Sequence, residues 1–419
     1  MLADAARSGW ATRARLREAG RRRRGSAGRE CWASRMAAAK KTMAKRYRQE
    51  LDGLADSYAL ALRHDVTGLA KVLERAAQRP IVVVGSGGSF SVATYCAGLH
   101  RQATGQLSRA MTPLMLAAQG GNLDAALLCV SASGSNVDIK AAFSAGVAGE
   151  MRPAIAFALE EGSPLAKLAA KFEYPDACCG PAPAVDDGFL AVNSVVVTCL
   201  TFARAYREIS GGKEAFAPNF EEFLDRAGAQ PSAVSDAVAG LGGERTLSVM
   251  FSPALEAAAV DLESRFVEAA LGPLHIADFR NFGHGRHNWF DKRGESTAVL
   301  SLAEAEYAGL ADRTLKLLPA AIGQISVRLS GAADEVGLAG LVCALYASAG
   351  AGEAIGVDPG RPGVPEFGRK LYGLAAPKAR VPESVILARK RRAVERRGGS
   401  VSAEALEAAR ERCQSRIAE

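Results

Sequence analysis

The stretch PIVVVGSGGSFSVATYCAG, residues 80–98, places a loop of glycine and serine between an apolar strand and a helix. Its first residues, Ile81 to Val84, are β-branched and apolar, which is typical of a strand covered on both faces in a parallel sheet. The glycines permit tight turns and let a ligand approach the main chain. The N–H groups at the start of the predicted helix attract anions, phosphate above all. A plain strand–helix turn with a capping serine is the alternative interpretation.

This loop differs from the two common nucleotide-binding loops. A P-loop requires Gly-Lys-Ser/Thr, which does not follow here. A dinucleotide fingerprint requires a third glycine where GSGGSF has Phe90, and no acidic residue clearly closes the next strand. The stretch therefore predicts an anion-binding loop of another kind.

Composition and charge narrow the class of protein. A chain of 419 residues, of which 48% are hydrophobic, predicts two or three globular domains. Residues 1–45 hold 13 Lys and Arg against three acidic residues, and residues 378–419 hold 11 against six. The body between them is mildly acidic although the whole chain carries +7, which argues against a nucleic-acid-binding core. Eight cysteines without a C-x-x-C pair predict reduced thiols in a cytoplasmic protein.

The Arg-rich N-terminus has no hydrophobic stretch, so it does not predict a secretory signal. It superficially fits a transit peptide, but we favour translation from an upstream start, with Met36 or Met43 as the true initiator. We find no apolar run of about 18 residues without polar interruption, and therefore expect no membrane span.

Beyond Pro80, short apolar runs alternate with helical patterns, which predicts a parallel sheet with helices on both faces. A polar, Gly-rich linker at residues 210–220 precedes a second such series. The sequence thus predicts an α/β protein with two three-layer domains. In chain order we expect a basic, disordered extension (1–45), a first domain with an N-terminal helical stretch (46–210), a second domain that ends in a pocket loop (211–377) and a basic helical tail (378–419).

A second loop, SASGSN at residues 131–136, also follows a predicted strand of the first domain. A Gly-Ser loop after one strand and an S-x-S-G loop after another resemble the sugar isomerase (SIS) domain family. Residues 46–375 are similar to the tandem isomerase portion of glucosamine-6-phosphate synthase and to the fructosamine-6-phosphate deglycases. The resemblance implies two tandem SIS-type domains and a phosphorylated sugar or amino sugar as ligand. It also implies no cofactor or metal, a homodimer, and neither a membrane nor a nucleic acid as partner.

The resemblance places the ligand at the carboxyl ends of two neighbouring strands, where open α/β sheets bind ligands. Asn136 stands where relatives usually have Thr, and its amide can still donate a hydrogen bond. Asn193 and Ser194 begin a long apolar helix and correspond to the sugar pocket of the family. The implied substrate-binding residues are Gly87, Gly88, Ser89, Ser131, Ser133, Gly134, Ser135, Asn136, Asn193 and Ser194.

A carboxylate on the first helix of the second domain is the family's catalytic base. Glu256 and Glu263 reproduce the family's seven-residue interval, which puts both on one helix face. The base therefore falls on Glu263, and Glu268 is a rival candidate. A solvated helix face is the alternative interpretation of the interval.

Two further positions match catalytic residues of the family. His284, in NFGHGRHNW at residues 281–289, matches a His-Gly pair that reaches the neighbouring subunit's pocket. The loop departs from the family, which follows His-Gly with Pro. His284 and His287 could instead bind a metal, but the sequence offers no third ligand at a sensible spacing. Lys370 matches a lysine above the pocket, with Arg361 and Arg369 as alternatives.

The chemistry implied is a sugar-phosphate aldose–ketose isomerisation or a deglycation. Isomerisation moves a proton between C1 and C2, so it needs a base, a group that opens the ring and a charge that stabilises the oxyanion. The resemblance gives these roles to Glu263, His284 and Lys370. A non-catalytic phosphosugar sensor and a partner of a separate phosphatase or kinase are the alternatives.

Overall fold

The computed structural model describes residues 44–119, 123–212, 214–243 and 245–374. Most of the predicted extension 1–45 and all of the predicted tail 378–419 lie outside these residues. Within them, the chain forms two parallel sheets, and helices lie on the faces of both. One sheet falls within residues 46–210 and the other within 211–377. The predicted α/β class with two three-layer domains is confirmed, and the outer domain limits stay predictions.

Eight helices belong to the first domain. They are α1 (Ala44–Asp52), α2 (Leu54–Arg63), α3 (Thr67–Ala76), α4 (Gly88–Thr104), α5 (Pro113–Ala118), α6 (Val137–Ala148), α7 (Pro164–Ala169) and α8 (Asn193–Ser210). The strands are β1 (Ile81–Val84), β2 (Ser108–Met111), β3 (Ala126–Val130), β4 (Ala154–Ala158) and β5 (Asp176–Cys179), in the spatial order β2-β1-β3-β4-β5.

The apolar sequences of the three central strands explain their place in this sheet. IVVV, ALLCV and AIAFA are buried along their whole length because helices cover both faces. On one face, Val82 and Val84 pack with residues of α5, α6 and α7. On the other, Val83 joins a core formed with α4 and α8, and α2 and α3 pack outside α8.

The second domain begins with α9 (Phe220–Ala227) and α10 (Pro231–Gly240). Its strands are β6 (Thr246–Phe251), β7 (Leu274–Asp278), β8 (Thr297–Glu304) and β9 (Gly323–Leu329), in the order β7-β6-β8-β9. Its other helices are α11 (Glu256–Glu268), α12 (Phe279–Asn281), α13 (Asn288–Arg293), α14 (Ala308–Lys316), α15 (Ala333–Ile355) and α16 (Glu366–Tyr372).

The two domains share one apolar core, which fixes their relative position. Helix α11 packs against α4, and α15 packs against α8 and α11. Buried residues from both sheets join in a single cluster through these four helices. Each fully buried aliphatic side chain contributes about 1.5–3 kcal/mol to folding, so this seam is a large part of the stability.

Helix α15 is the one described helix that is long and apolar enough to cross a membrane, by length and composition alone. The search for an apolar run without polar interruption did not indicate this helix, because polar residues such as Ser348 interrupt it. In the fold, 78% of its most apolar 18-residue window is buried inside the protein. Membrane-spanning helices and the core helices of globular proteins have similar compositions, because both are apolar on every side.

Candidate functional site

The two loops predicted to bind phosphate leave the first sheet at the same edge. Strands β1 and β3 are parallel neighbours, and Val84 is paired with Cys129. Both chains therefore run into their loops on the same side of the sheet, Gly85 onward after β1 and Ser131 onward after β3. This edge is where open α/β sheets bind ligands.

The loop after β1 is shaped by close backbone contacts. A Cβ at Gly85 would lie 2.0 Å from the Ser89 carbonyl oxygen, so only glycine fits there. Gly87 has a φ of 54°, which favours glycine. Helix α4 begins at Gly88 without a side-chain cap, while the Ser89 and Phe90 N–H groups donate to the Ser86 and Gly87 carbonyls at 3.2 and 2.8 Å.

The loop after β3 presents two adjacent hydroxyl groups. Ser133 Oγ and Ser135 Oγ lie 2.6 Å apart. Buried Ser131 shapes the turn, since its Oγ accepts a hydrogen bond from the Gly134 N–H at 3.1 Å. Gly134 has a φ of 65°, and a Cβ there would lie 2.7 Å from Ser163 Oγ. Ser133 and Ser135 are thus the hydroxyls of this loop that a ligand can reach.

Asn136 has a structural role as well as the predicted one. Its Oδ1 accepts hydrogen bonds from the N–H groups of Asp138 and Ile139 and so caps α6. Its Nδ2 donates to Tyr372 Oη at 3.5 Å, which brings α16 to the loop after β3. The sequence did not indicate Tyr372, although it lies only two residues from the predicted Lys370.

Asn193 and Ser194 hold the fold together rather than facing a pocket. Asn193 is fully buried, and its side chain accepts from Ser57 Oγ at 2.8 Å and donates to the Glu50 carbonyl at 2.8 Å. Ser194 donates its hydroxyl to Asp187, whose carboxylate also accepts from the Asn193 and Ser194 N–H groups at the start of α8. Because these partners already engage both side chains, their predicted role in lining the sugar pocket is not supported by this geometry.

Of the two candidate bases, Glu268 lies beside the loop after β1, since a Cβ at Gly87 would be 3.9 Å from Glu268 Oε1. Glu268 Oε1 also accepts a hydrogen bond from Ser264 Oγ. Both Glu263 and Glu268 are exposed on α11, as is Glu256, so the choice of Glu263 as the base stays a prediction. The same helix buries the ion pair of Asp261 and Arg265 on its inner side.

Arg265 also supports the loop after β1 from behind. Its guanidinium donates to the Ala191 carbonyl and, at 3.3 Å, to Tyr47 Oη. A Cβ at Gly88 would lie 2.8 Å from Ala191 Cβ, so the segment before α8 packs directly on the loop. Helix α11 thus supplies a carboxylate at the site and fixes the segment on which the loop rests.

His284 and Lys370 are exposed, and the single chain does not bring His284 to the two loops. His284 lies in a kinked segment after β7, with Gly285 at a φ of 95°. Lys370 lies on α16 and pairs with Glu366 at 3.0 Å. Through Tyr372 the same helix reaches Asn136, so α16 is placed beside the loops. Arg361, an alternative to Lys370, is instead paired with Glu50 at 3.0 Å.

The pair of Glu50 and Arg361 ties the Pro/Gly-rich segment before α16 to the first helix. Glu50 is buried, and burial raises the pKa of its carboxyl group. The Phe189 N–H donates to the Gly360 carbonyl at 2.9 Å, which joins the segment before α8 to the same cluster. The sequence showed neither Glu50 nor Asp187, because their partners are far away in the chain.

The described residues contain no group of three or more His, Cys, Asp or Glu side chains that could hold a metal ion. The six cysteines among them are free thiols, and burial raises the pKa of Cys178 to about 11. The groups described at the edge of the first sheet are hydroxyls, backbone N–H groups and a carboxylate.

No protein-family model and no curated protein match this chain, but solved structures do. Glucosamine-6-phosphate deaminase from Thermotoga maritima is 17% identical, over 75% of this chain and 97% of that one, with a TM-score of 0.58. Tagatose-6-phosphate ketose/aldose isomerase from Escherichia coli is 18% identical, over 76% and 95%, also at 0.58. The C-terminal domain of glucosamine-fructose-6-phosphate aminotransferase from Francisella tularensis is 10% identical, over 74% and 96%, at 0.55.

Two parallel sheets with helices on both faces define a three-layer α/β protein, and its Gly/Ser loops lie at one edge of the first sheet. The chain has the fold that these solved phosphosugar proteins share, as the two loop motifs predict. At these identities the likeness concerns the fold.

Proposed function

We propose that this protein binds a phosphorylated sugar or amino sugar at the carboxyl edge of the first sheet. The proposal further holds that it acts as a sugar-phosphate isomerase or deglycase. One observation carries it: the uncapped start of α4 and the paired hydroxyls of Ser133 and Ser135 belong to loops that leave adjacent parallel strands. Phosphate is the anion that hydroxyls and helix-start N–H groups suit best. The names of the solved structures with this fold support a phosphosugar.

The carboxylate of Glu268 orients the proposed ligand. Like charges repel, so a bound phosphate stays on the side of Ser89 and Ser133, and the sugar carbons face Glu268. A carboxylate there can take a proton from one of the two carbons C1 and C2 and return it to the other, a step that needs no oxidant or reductant. Phosphate binding holds the carbons in place for this transfer.

Two exposed residues complete the proposed reaction. Lys370 lies on α16, which Tyr372 holds near the loops, and its charge can stabilise an oxyanion. His284 lies elsewhere in the single chain, so it would open the sugar ring from a second copy in a homodimer. We place this dimer in the cytoplasm, because the composition favours reduced thiols, and we assign it no membrane or nucleic-acid partner.

A phosphosugar sensor without catalysis is the second candidate. It is favoured by His284 and Lys370, which form no hydrogen bond to the two loops within the described part of the chain. The two functions share the binding site and differ only in turnover.

Isothermal titration with glucosamine 6-phosphate, fructose 6-phosphate and their dephosphorylated forms tests the site. We expect the phosphorylated sugars to bind at least about 100-fold more tightly, since a phosphate adds several charge-assisted hydrogen bonds. Proton NMR of the same mixtures reports isomer or amine release. Turnover supports the enzyme, and tight binding without turnover supports the sensor.

The variant Ser133→Asp adds a negative charge to the loop after β3, where the phosphate is proposed to bind. It should abolish binding of the phosphorylated sugars. Ser232→Asp is the matched control, because Ser232 is exposed at the start of α10 in the other domain. Equal affinity for sugars with and without phosphate, or unchanged binding by Ser133→Asp, would show that the proposed phosphate site is wrong.

A further inference from the structure

A pocket lies on the second domain, away from the edge of the first sheet. It has a volume of about 590 Å³, within the range of small-molecule sites. It opens beside β7, an edge strand of the second sheet. The residues that matter for its chemistry are His275, Phe282, Arg286, Trp289, Lys292 and Arg293.

Trp289 gives this pocket a fixed aromatic wall. Its Nε1 donates to Thr297 Oγ1 at 2.9 Å, and the His275 ring meets it edge-on with centroids 4.5 Å apart. The indole is nevertheless 37% exposed. A ring that is held in one orientation and partly open is suited to stack on a planar ligand.

Two arginines give the pocket a positive charge. Arg286 and Arg293 both line it, and neither forms an ion pair with another residue in the described ranges. Lys292 also lines it but pairs with Asp291 at 2.5 Å. None of the lining residues is acidic. Guanidinium groups without a carboxylate partner favour an anion, and phosphate fits their fork of donors.

The edge of β7 adds backbone donors and acceptors. The Leu247 N–H donates to the Pro273 carbonyl, so in the alternating pattern of a parallel pair the Ile276 N–H and carbonyl point away from β6. Arg286 Nη1 donates to that carbonyl at 3.3 Å, which holds the guanidinium along the strand edge. The pocket thus combines a fixed ring, oriented cations and a strand edge.

We propose that this pocket binds a nucleotide, with the base stacked on Trp289 and the phosphate held by Arg286 and Arg293. A nucleotide supplies both an aromatic face for the indole and a phosphate for the two guanidinium groups. Within one chain the pocket and the first-sheet edge belong to different domains. In the proposed homodimer His284, two residues from Arg286, would reach the partner's phosphosugar site, so the nucleotide would bind beside that site and in addition to the phosphosugar.

Tryptophan fluorescence can test the proposal in the full chain. The three tryptophans are Trp10, Trp32 and Trp289, so replacing the first two with Phe leaves Trp289 as the only reporter. Titration with AMP should quench it saturably, while adenosine and inorganic phosphate should each bind much more weakly. Arg286→Gln should weaken AMP binding about tenfold or more, the usual cost of a charged hydrogen bond.

Arg313→Gln is the matched control, because Arg313 is exposed on α14 of the same domain and does not line the pocket. It should leave AMP binding unchanged, and so should Ser133→Asp in the first domain. Absence of quenching at millimolar AMP, or equal quenching by phosphate alone, would overturn the proposal. Protection of Trp289 from acrylamide in a dimer without AMP would also overturn it, since the pocket would then be a contact between copies.

Discussion

Glu304 ends β8 at the carboxyl edge of the second sheet. Its side chain reaches the turn between the neighbouring strand β6 and helix α11. Its Oε1 accepts from the Ala254 N–H at 3.4 Å, in the turn that leads into α11. Its own N–H donates to Ser252 Oγ at 3.1 Å. At the matching edge of the first sheet, glycines and serines follow β1 and β3, and α4 has no side-chain cap.

The comparison teaches how one topology serves two purposes. A helix start attracts negative charge in both domains. The second domain places its own carboxylate, that of Glu304, against the Ala254 N–H at this edge. In the first domain no side chain caps the start of α4, and the second domain supplies Glu268 beside the loop. Five substitutions, in four experiments, can break or sharpen this comparison.

The largest effect is expected for Gly85→Ala in the open edge. The new Cβ would lie 2.0 Å from the Ser89 carbonyl oxygen, and no side-chain rotation relieves a clash with the main chain. We expect a loss of about 4 kcal/mol in the free energy of unfolding, measured in urea. Gly98→Ala, within α4 and with nothing within 4 Å of its Cβ, should be neutral or stabilising. Equal effects of the two would refute the packing described for this loop.

Glu268→Gln tests whether the second domain contributes to catalysis while the loops of the first domain contribute to phosphosugar binding. If the protein is an isomerase, loss of the base should lower kcat about 100-fold with little change in phosphosugar affinity. Glu263→Gln, on the solvated face of the same helix, should leave kcat unchanged. A larger effect of Glu263→Gln would restore the sequence-based assignment of the base.

Ser252→Ala and Ser133→Ala should have opposite effects on protein stability and on phosphosugar binding. Ser252 is buried and accepts the Glu304 N–H, so its loss should cost about 1 kcal/mol of stability and leave phosphosugar binding intact. Ser133→Ala should weaken binding and leave stability nearly unchanged. Urea unfolding and calorimetry on both variants check this, and weaker sugar binding by Ser252→Ala would remove the contrast between the two edges.

The smallest effect is a pH dependence that arises from Glu304. Burial raises the pKa of its carboxyl group above the ordinary 4.5, although the hydrogen bonds from Ala254 and Ser252 oppose this. Its contribution to stability is therefore full below pH 4.5 and is lost as the pH rises through the raised value. Glu304→Gln should become more stable relative to the natural chain over this interval. A pH profile of stability for Glu304→Gln that runs parallel to that of the natural chain would contradict the raised pKa.

The sequence was sufficient to predict the features that depend on residues close together in the chain. Uniform apolar runs such as IVVV indicated the central strands, and the glycines and serines after them indicated loops at one edge. It was insufficient where distant parts of the chain meet. Asn193 looked available for a ligand because its partners Ser57 and Glu50 lie more than a hundred residues away.

The choice between Glu263 and Glu268 illustrates the same limit. A seven-residue interval identifies one helix face but does not say which face is buried. In α11 the inner face contains the charged pair of Asp261 and Arg265, which a sequence pattern assigns to the surface. The NFGHGRHNW loop was similarly interpreted through His284 and His287, although its Arg and Trp residues line the pocket of the second domain.

The contact between Glu50 and Arg361 joins positions 311 residues apart in the chain. A proteolytic cut in the Pro/Gly segment after α15 would separate the guanidinium from a carboxylate that cannot easily reach water. The damage would then be felt at the opposite terminus, where α1 would loosen. A protein that has lost the segment containing Arg361 would therefore begin to unfold at its first helix, α1.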